Sequence, residues 1–520
     1  MNLQNFTAPA IDWMILLPVV VVLGGAVVGV LIEAFAPRRS RRRVNVVWTV
    51  LVLIAGLVTA ALQWKGAVAG SSQTGQYISD PWSVGLQVIL LLVALLAMLV
   101  MADRTELGDG DFAAQPADRP GSGEEALSIA KKYQRSEIFP LLLFSVGGMM
   151  VFPATESLLT MFVALEVMSL PLYILAATSR RRRGQSHEAA MKYFILGAFA
   201  SGFFLMGAAL LFGYSGGSLD FSQIAAGIPA FNNMEWLLVV GVFMVMVGLL
   251  FKVAAVPFHA WTPDVYTGAP TSITGFMAAG VKIAAFGAMV RFYQIVVGPL
   301  QWDFRMLFAV IAALTILVGT VGGLVQKDIK RLLAYSSIAH AGFLLIGVIS
   351  LVKGSAGSIA FYLLAYAVAT IGAFGVVTVV RVKDADGNIG GQATNLRLWK
   401  GLGKRSPMTA LAMLVFLLSF AGIPLTSGFV GKFVVFANGI SGGLGWLVGI
   451  ALVASAATAV FYFRVISYMF LQEPEEGTTV VSSEGLSAAA IAIAAVLTVL
   501  LGVVPGPILD VLSQIVIALP

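Results

Sequence analysis

Three lysines lie deep inside apolar stretches of this 520-residue chain, where a charged side chain is costly. Lys252, Lys282 and Lys432 each sit among runs of aliphatic, aromatic and small residues. Glu166 and His340 occupy similar stretches. Ionisable groups inside a membrane normally face a protein interior or a water-filled path. Lysine, unlike arginine, can release its proton when it is desolvated. These five residues together indicate a route for protons or ions.

Glu166 and Lys252 are expected to form a buried ion pair. Glu166 lies in LLTMFVALEVMSLPLYIL, about nine residues into the segment, which is near mid-depth at about 1.5 Å per residue. Lys252 comes just before an interrupted apolar segment. A carboxylate and an ammonium at similar depth favour pairing, because each alone tends to neutralise. A static structural ion pair is the alternative interpretation.

Lys282 and Lys432 are the other two candidates for proton exchange. Lys282 lies among small residues in GFMAAGVKIAAFGAM, which leave room for water and for close helix approach. Its side chain is too far from a helix end to reach the membrane surface. Lys432 follows a Gly/Pro interruption, AGIPLTSG. The sequence therefore favours a functional over a structural role for both.

A histidine and three tyrosines could extend this route. His340 lies in RLLAYSSIAHAGFLL, a turn or so after Tyr335 and two serines. A relay of protons and simple packing both remain open for this histidine. Tyr362 and Tyr366 are four residues apart and share one helix face. They could continue a hydrogen-bonded path, with aromatic packing as the alternative.

The remaining charges in apolar segments have simpler interpretations. Lys192 begins a segment beside four arginines, and Arg291 and Arg464 lie near segment ends. Such long side chains can reach the polar surface of the membrane, which is what we expect for these three. His259 and Asp264, in FHAWTPDVYTGAP, are expected to brace an interrupted helix and the turn after it.

The composition defines the class of protein that must position these groups. Hydrophobic residues make up 59% of the chain and charged residues 11%, and the mean hydropathy is +0.92. This balance predicts an all-α polytopic membrane protein embedded in a lipid bilayer. The chain has no cysteine and only three histidines. Disulfides, thiolate metal sites and iron–sulfur ligation are therefore excluded, and no metal site is expected.

About fourteen apolar segments are long enough to cross a bilayer as helices, which requires about 20 residues each. Alternating ten-residue strands, typical of a membrane barrel, are not evident. The predicted spans, numbered 1 to 14, are 13–36, 44–64, 83–102, 138–153, 157–178, 190–214, 235–267, 270–296, 304–325, 331–351, 357–381, 407–439, 443–471 and 486–505.

The basic residues predict the orientation of these spans. Loops after spans 1, 3, 5, 9 and 11 hold 23 lysines and arginines, whereas the opposite loops hold three. Positive charge accumulates on the cytoplasmic side, so both termini are predicted to face outward. The chain is therefore expected to be a multi-pass membrane protein whose basic loops face the cytoplasm. Its net charge of +6 then reflects topology, and no nucleic-acid partner is expected.

The spans group into an ordered domain plan. Residues 1–102 hold spans 1–3, and the polar stretch 103–137 is expected to be a mobile cytoplasmic loop. Two blocks of five helices follow, 138–296 and 304–471. Residues 486–520 hold span 14 and the tail. Because five is odd, the second block enters from the opposite side, which makes the blocks inverted repeats.

The fourth span of each block is predicted to be discontinuous. Segments 235–267 and 407–439 are both too long for one straight crossing, and each carries a Gly/Pro interruption near its middle. Paired broken helices in inverted repeats are a pointer to an ion site in transporters. The backbone groups freed at the breaks must line a cavity or lie buried in protein.

Five stretches of the chain resemble a known family. They are MKYFILGAFASGF at 191–203, FKVAAVPFHAWTPDVYTGAP at 251–270, KDIKRLLAYSSIAHAG at 327–342, FYLLAYAVATIGAFGV at 361–376 and AGIPLTSGFVGKF at 421–433. With them, nearly the whole chain resembles the proton-translocating, antiporter-like subunits of respiratory complex I, the bacterial NADH:quinone oxidoreductase. The resemblance is to the subunit N type. The M type usually carries glutamate where this chain has Lys432, and the L type has a long lateral helix after its bundle.

The resemblance implies a proton path of Glu166, Lys252, Lys282 and Lys432, to which we add His340. Lys192, His259, Tyr335, Tyr362 and Tyr366 are supporting candidates. The chain would translocate protons as a subunit of an enzyme, with no redox chemistry of its own. No cofactor is expected on it, because FMN, iron–sulfur clusters and quinone belong to partner subunits. Expected partners are the neighbouring M-type subunit and the small K-, J- and A-type subunits.

Two other functions remain open at this stage. A subunit of a multi-subunit cation/proton antiporter shares the fold and the lysines. A purely structural spacer that holds a pumping neighbour is a second alternative. Thr267 also departs from the family, which has an acidic or amide residue in that turn. This departure puts only a loop contact in doubt.

Overall fold

The structure is a computed structural model of the chain. It describes residues 11–517 apart from several short stretches. The stretches left out are 67–69, 72–75, 106–109, 116–117, 120, 132, 134, 229–233, 384–385, 387–388, 475–476 and 482–484. The predicted outward position of the two ends concerns residues 1–10 and 518–520, which lie outside the described residues.

The described chain is mainly helical, and every predicted span coincides with one or two helices. The helices are α1 Trp13–Phe35, α2 Arg38–Gly66, α3 Pro81–Ala102, α4 Gly123–Ala130, α5 Ile138–Val151, α6 Leu158–Ala176, α7 Arg183–Tyr214, α8 Phe221–Gly227, α9 Glu235–Val253, α10 Trp261–Gly268, α11 Thr271–Phe276, α12 Lys282–Phe292, α13 Gln301–Leu324, α14 Ile329–Ser350, α15 Ser355–Val379, α16 Leu402–Arg405, α17 Pro407–Ala421, α18 Ser427–Ser441, α19 Gly445–Leu471, α20 Leu486–Val503 and α21 Gly506–Ser513. In the described ranges, eleven continuous helical segments are long and apolar enough to cross a membrane. The all-α membrane class is therefore confirmed.

Short antiparallel strands lie only in the connections among the described residues. β1 Gly70–Ser71 pairs with β2 Ile78–Ser79. A second sheet has the order β4-β3-β5, with β3 at Val380–Lys383, β4 at Ile389–Gln392 and β5 at Thr478–Val480. This second sheet joins the connection after α15 to the connection after α19. It therefore ties together loops that are far apart in sequence.

The first predicted break lies between α9 and α10. α9 ends where Ala254 adopts a left-handed conformation, with φ +65°. The backbone N–H of Val256 then donates to Thr315 Oγ1 at 2.9 Å. The indole N–H of Trp261 donates back to the carbonyl of Phe251 at 3.0 Å. These bonds supply partners for backbone groups that a continuous helix would have satisfied.

The second predicted break lies between α17 and α18. Gly422 ends α17 with φ +81°, and Leu425 also has a positive φ, +71°. The backbone N–H of Gly428 donates to Ser419 Oγ at 3.0 Å, which joins the two half-helices across the break. Both discontinuous helices are thus present where the Gly/Pro interruptions predicted them.

The two five-helix blocks pack against each other through their central helices. α10 and α11, from the first block, contact α14 and α15, from the second. Of the candidate spans in the described ranges, α14 and α15 are the most deeply buried inside the protein. The helices that carry His340, Tyr362 and Tyr366 therefore form the centre of the molecule. The domain plan and the inverted relation of the blocks stay predictions.

The predicted span 270–296 has a feature that the sequence did not indicate. Two wider π-helical turns, Met277–Val281 and Tyr293–Val297, flank α12. Lys282 is the first residue after the earlier turn. Single π-helical turns inside α-helices occur mostly at functional sites, because they re-aim the side chains beside them. The turn therefore helps to set the direction of Lys282.

The polar stretch 103–137 is partly docked on the helical bundle. Phe112 pairs with Ser179 in an isolated bridge. The N–H of Ala113 donates to the carbonyl of Thr178 at 3.1 Å, and the N–H of Arg180 donates to the carbonyl of Asp111 at 2.9 Å. α4 forms further along the stretch. The expectation of a mobile loop does not hold for residues 110–113, because backbone bonds fix them to the connection after α6.

Candidate functional site

Lys252 lies in the last turn of α9, just before the first break, and is buried. Its ammonium Nζ donates to Ser169 Oγ at 2.8 Å and approaches the hydroxyl of Tyr173 at 3.5 Å. The ring centroids of Tyr173 and Tyr193 lie 5.5 and 5.4 Å from the same Nζ. A hydroxyl and two aromatic faces therefore surround this ammonium, an arrangement that stabilises a desolvated cation.

The expected direct ion pair between Lys252 and Glu166 is wrong. No Lys252 nitrogen lies within 4.0 Å of a carboxylate oxygen of Glu166, although both residues are described. Glu166 is only partly buried, and it accepts a hydrogen bond from Ser201 Oγ at 2.5 Å. Ser169, one turn beyond Glu166 on α6, occupies the position next to the ammonium. The two charges still interact electrostatically.

Lys282 points across the interface between the two blocks. Its buried Nζ donates to the backbone carbonyl of Ser337 on α14. The ring centroid of Tyr366, on α15, lies 5.5 Å from the Nζ. The predicted central position of this lysine thus corresponds to a contact between the first block and the two central helices of the second.

His340 lies at the middle of an aromatic cluster on α14 and α15. Its Nδ1 is 2.7 Å from the hydroxyl of Tyr362, a hydrogen bond whose direction depends on the tautomer. Its ring centroid is 5.0 Å from that of Tyr366 and 5.7 Å from that of Phe420. The histidine therefore both packs and hydrogen-bonds. Its hydrogen bond to Tyr362 meets the geometric requirement for a relay.

Lys432 is held by the second break. Its Nζ donates to the carbonyl of Phe420 at 2.8 Å, to the carbonyl of Ala421 at 3.1 Å and to Ser455 Oγ at 2.8 Å. The two carbonyls belong to the last turn of α17, where the break frees them from helical partners. The negative end of the half-helix stabilises a cation at this position. A broken helix was predicted to create such a site.

These groups form a connected row. Tyr366 lies between Lys282 and His340. The ring of Phe420 contacts His340, and the backbone carbonyl of Phe420 accepts from Lys432. His340 interacts electrostatically with the charges of both lysines. The structure therefore brings together four of the predicted residues, which are Lys282, Tyr366, His340 and Lys432.

Lys252 reaches this row through aromatic rings. Tyr193 stacks on Trp261 with ring centroids 4.8 Å apart, and Trp261 contacts Tyr266 at 6.1 Å. Tyr266 in turn lies near Tyr366, whose ring faces Lys282. Lys252 is thus one step removed from the other two lysines, and buried tyrosines bridge the interval.

Two supporting candidates lie apart from the row. Tyr335 packs its ring against Gly322 of α13, because it leaves α14 on the side away from His340. His259 is partly buried within the first break, and its Nδ1 has no hydrogen-bond partner in the described part of the chain. The structure therefore gives neither residue a contact with the lysines.

Lys192 and Asp264 belong to a surface cluster that joins the two blocks. Asp264 on α10 accepts from Lys192 Nζ at 2.7 Å and from Arg331 Nη1 at 2.9 Å. Lys192 also pairs with Glu188, one turn earlier on α7. These ion pairs fit the expected bracing role of Asp264, which stays a prediction, as it does for His259. Lys192 reaches the protein surface, where its side chain is 40% exposed.

Arg291 corrects another expectation. Its side chain is 0% exposed and therefore does not reach the membrane surface. Its Nη2 donates to both carboxylate oxygens of Asp80, at 2.7 and 2.8 Å, and to Ser83 Oγ at 2.9 Å. Glu156 lies 3.4 Å from Nη1. This cluster clamps the N-terminus of α3 to α12.

The sequence also failed to identify several polar groups in the core. Lys330 is a fourth buried lysine, with 3% exposure. The predicted spans 304–325 and 331–351 leave it in the connection between them. Ser169 and Ser455 bind the ammonium groups of Lys252 and Lys432. A serine one turn from Glu166 was a signal for the first of these. In the described ranges, no three His, Asp or Glu side chains are placed to hold a metal ion.

Comparisons with known proteins identify the family of this chain. Residues 155–458 match the family model described as "NADH:quinone oxidoreductase/Mrp antiporter, TM". The chain is 51% identical to NADH-quinone oxidoreductase subunit N of Beutenbergia cavernae, an alignment that covers 98% of this chain and 99% of the relative. The chain belongs to the NADH-quinone oxidoreductase subunit N family.

Solved structures place the subunit N fold in a wider group. A chain of respiratory complex I from Thermus thermophilus is 34% identical, with a TM-score of 0.75, and the match covers 96% of this chain and 99% of that one. A chain of the Mrp complex from Dietzia sp. DQ12-45-1b has a TM-score of 0.76 but 21% identity, with 96% of each chain covered. The second likeness shows the shared fold alone.

Proposed function

We propose that this chain is a proton-translocating membrane subunit of NADH:quinone oxidoreductase. It moves protons across the membrane, coupled to quinone reduction in other subunits. The observation that carries the proposal is the buried row of Lys282, Tyr366, His340 and Lys432. A structural core has no need for desolvated ammonium groups, whereas a proton route requires sites of this kind. The names of the relatives in the subunit N family support the same activity.

The proposed route begins with Glu166 and Lys252. A displacement or charge change in a neighbouring subunit alters the field at Glu166, which is partly exposed on the surface of α6. Lys252 responds through Ser169 and through the field between the two charges. The change in charge at Lys252 then alters the proton affinity of Lys282. Coulomb interactions between such groups are strong because the interior has a low effective dielectric constant.

From Lys282 the proton passes to Lys432 by way of His340. Tyr362 holds the imidazole, and Tyr366 spans the gap to Lys282. Buried hydroxyls of Tyr193, Ser337 and Thr370 have no hydrogen-bond partner in the described part of the protein. Buried polar groups are almost always hydrogen-bonded, so internal water is expected beside them. A chain of water and hydroxyl groups would carry the proton where side chains are not in contact.

The partners follow from this role. FMN, iron–sulfur clusters and the quinone site reside in other subunits, while this chain orients and exchanges protons. Its neighbours are the M-type subunit and the small K-, J- and A-type subunits. The membrane is the bacterial inner membrane, with the termini on the outer face and the basic loops in the cytoplasm.

The test is proton pumping by the assembled complex in inside-out vesicles. Lys282→Ala and Lys432→Ala are each expected to abolish most NADH-driven acidification. NADH oxidation with an artificial electron acceptor, which needs only the redox subunits, reports their amount and should stay unchanged. Copurification of the variant chain with those subunits reports assembly. Lys404→Ala is the matched control, because Lys404 is exposed and pairs with Glu473 at the surface. Normal pumping in either buried-lysine variant would contradict the route.

A subunit of a cation/proton antiporter is the second candidate, favoured by the shared fold of the Mrp chain. The subunit composition of the purified assembly separates the two. Flavin and iron–sulfur subunits are expected to copurify with this chain. Their absence, together with sodium-dependent proton exchange that is independent of NADH, would support the antiporter.

A further inference from the structure

The polar stretch 103–137 places one carboxylate at the start of the helix that leads to Lys282. Asp111 accepts from the backbone N–H of Ser272, in the first turn of α11, at 2.9 Å. Its other carboxylate oxygen accepts from Gln392 Nε2 at 2.6 Å. These contacts join the polar stretch 103–137, called the insertion below, to α11 and β4 at one point.

Two buried cations face this carboxylate. Lys330, at the start of α14, and Arg381, on β3, are each 3% exposed, and both interact electrostatically with Asp111. Lys330 Nζ donates to the carbonyl of Ala269, between α10 and α11. In the described part of the chain Lys330 forms no direct ion pair, and Asp328 and Asp111 act on its charge at longer range. Asp111 is therefore a major source of negative charge for two cations at this end of the bundle.

Further charges surround the same point. Lys330 also interacts with Asp328 and Arg182, and Arg381 also interacts with Arg181. Arg180 interacts with Arg381, and Glu125 pairs with Arg180 and interacts with Arg181. Among the described residues, five cations thus surround three carboxylates. Neutralising Asp111 would leave a surplus of positive charge, which opposes the approach of a proton.

The same region contains polar groups that are ready to bind water. The buried hydroxyls of Thr271 and Ser272 and the buried Nε of Arg381 have no hydrogen-bond partner among the residues that the structure describes. Polar atoms in such a position usually bind water. Thr271 precedes Lys282 by about 16 Å along the helix, at about 1.5 Å per residue. The basic loops nearby assign this end to the predicted cytoplasmic side.

We propose that Asp111 is a positioning residue at the proton-loading end of the route. It fixes the first turn of α11 and offsets the charges of Lys330 and Arg381, so that protons can approach Lys282 from the predicted cytoplasmic side. This inference rests on the proposed function. It assigns a role to an insertion that contains no catalytic motif of its own.

The experiment is Asp111→Asn in the complete complex, with NADH-driven pumping measured between about pH 6 and about pH 8. Asparagine keeps the shape, and its Oδ1 can still accept from Ser272. Its NH2 then faces Gln392, whose amide can turn to accept, so the change removes mainly charge. At the higher pH we expect the pumping rate to fall about tenfold, which is at the lower end of the effects that local electrostatic fields have on association rates. At the lower pH we expect the rate to recover towards that of the parent. Proton supply compensates there for the unfavourable field.

Two controls separate charge from structure. Asp118 lies in the same insertion and is buried, and its described hydrogen-bond partners, Gln115 and Ser128, belong to the insertion itself. Asp118→Asn is therefore expected to pump normally. Asp111→Glu keeps the charge and is expected to pump nearly normally. Combining Asp111→Asn with Lys330→Gln restores the charge balance and should restore pumping at the higher pH.

Three outcomes would overturn the inference. These are normal pumping by Asp111→Asn at every pH, an equal loss at every pH, and an equal loss in Asp118→Asn. If Lys282→Ala abolishes pumping while Asp111→Asn does not alter it, the proposed function stands and only this inference fails. If Asp111→Asn does not assemble, the charge-balanced double variant decides. Its failure to pump at either pH would refute the electrostatic role.

Discussion

Gly422→Ala tests whether the geometry at the second break controls Lys432. Gly422 has φ +81°, a left-handed conformation that costs an L-residue about 1–2 kcal/mol. A Cβ at this position would lie 3.0 Å from Cδ and 3.2 Å from Nζ of Lys432. The lysine must therefore move by a few tenths of an ångström. This movement lengthens its bonds to the carbonyls of Phe420 and Ala421.

The expected loss follows from those bonds. Hydrogen bonds that involve a charged group contribute about 1.5–3 kcal/mol each. If the two carbonyl bonds each lose part of that value, the ammonium of Lys432 is stabilised by about 1.4 kcal/mol less. A difference of this size corresponds to about a tenfold change in an equilibrium or a rate. We therefore expect pumping to fall about tenfold while the complex still assembles, since the lysine side chain is flexible and can yield.

The assay compares two glycine variants in inside-out vesicles, with a fluorescent pH indicator. Pumping is normalised to NADH oxidation with an artificial acceptor. Gly354→Ala, just before α15, is the matched control, because Gly354 also has a positive φ, +89°, and a Cβ there meets open space. Equal pumping by Gly422→Ala and Gly354→Ala would refute the reasoning. It would mean that the carbonyl contacts of Lys432 do not govern proton transfer.

Two further predictions concern the buried polar contacts. Arg291→Met removes the buried cation that binds both carboxylate oxygens of Asp80 and should destabilise the fold by about 3–5 kcal/mol, measured by thermal unfolding of the purified complex. Adding Asp80→Asn should recover part of this loss, and an unchanged transition in Arg291→Met would contradict the clamp. Tyr362→Phe removes the hydroxyl bound to His340 and should slow pumping severalfold, by about 0.5–1.5 kcal/mol. Tyr335→Phe should have no effect, and an equal effect of the two would argue against a relay.

The local pattern of the chain was sufficient to identify its elements. Apolar runs of sufficient length predicted the spans, because each helix satisfies its own backbone inside a membrane. The Gly/Pro interruptions predicted both broken helices for the same local reason. The lysines stood out because an ionisable group in an apolar run is costly wherever the run packs.

Pairwise contacts could not be derived in the same way. The Glu166–Lys252 pair was expected from equal depth alone, but the rotation of α6 and α9 places Ser169 next to the ammonium. Arg291 was assigned to the membrane surface from its position near a segment end. Its real environment depends on Asp80, which is 211 residues away in sequence.

The sequence by itself determined the class of protein, the spans, the two breaks and the presence of desolvated lysines. These properties depend on length, composition and local backbone rules. Only the tertiary structure decided that Lys282, His340 and Lys432 form one row, that Lys252 stands apart, and that Asp111 reaches α11. Those contacts depend on how helices rotate and pack between residues that lie from tens of positions to more than a hundred apart, and no local pattern encodes that arrangement.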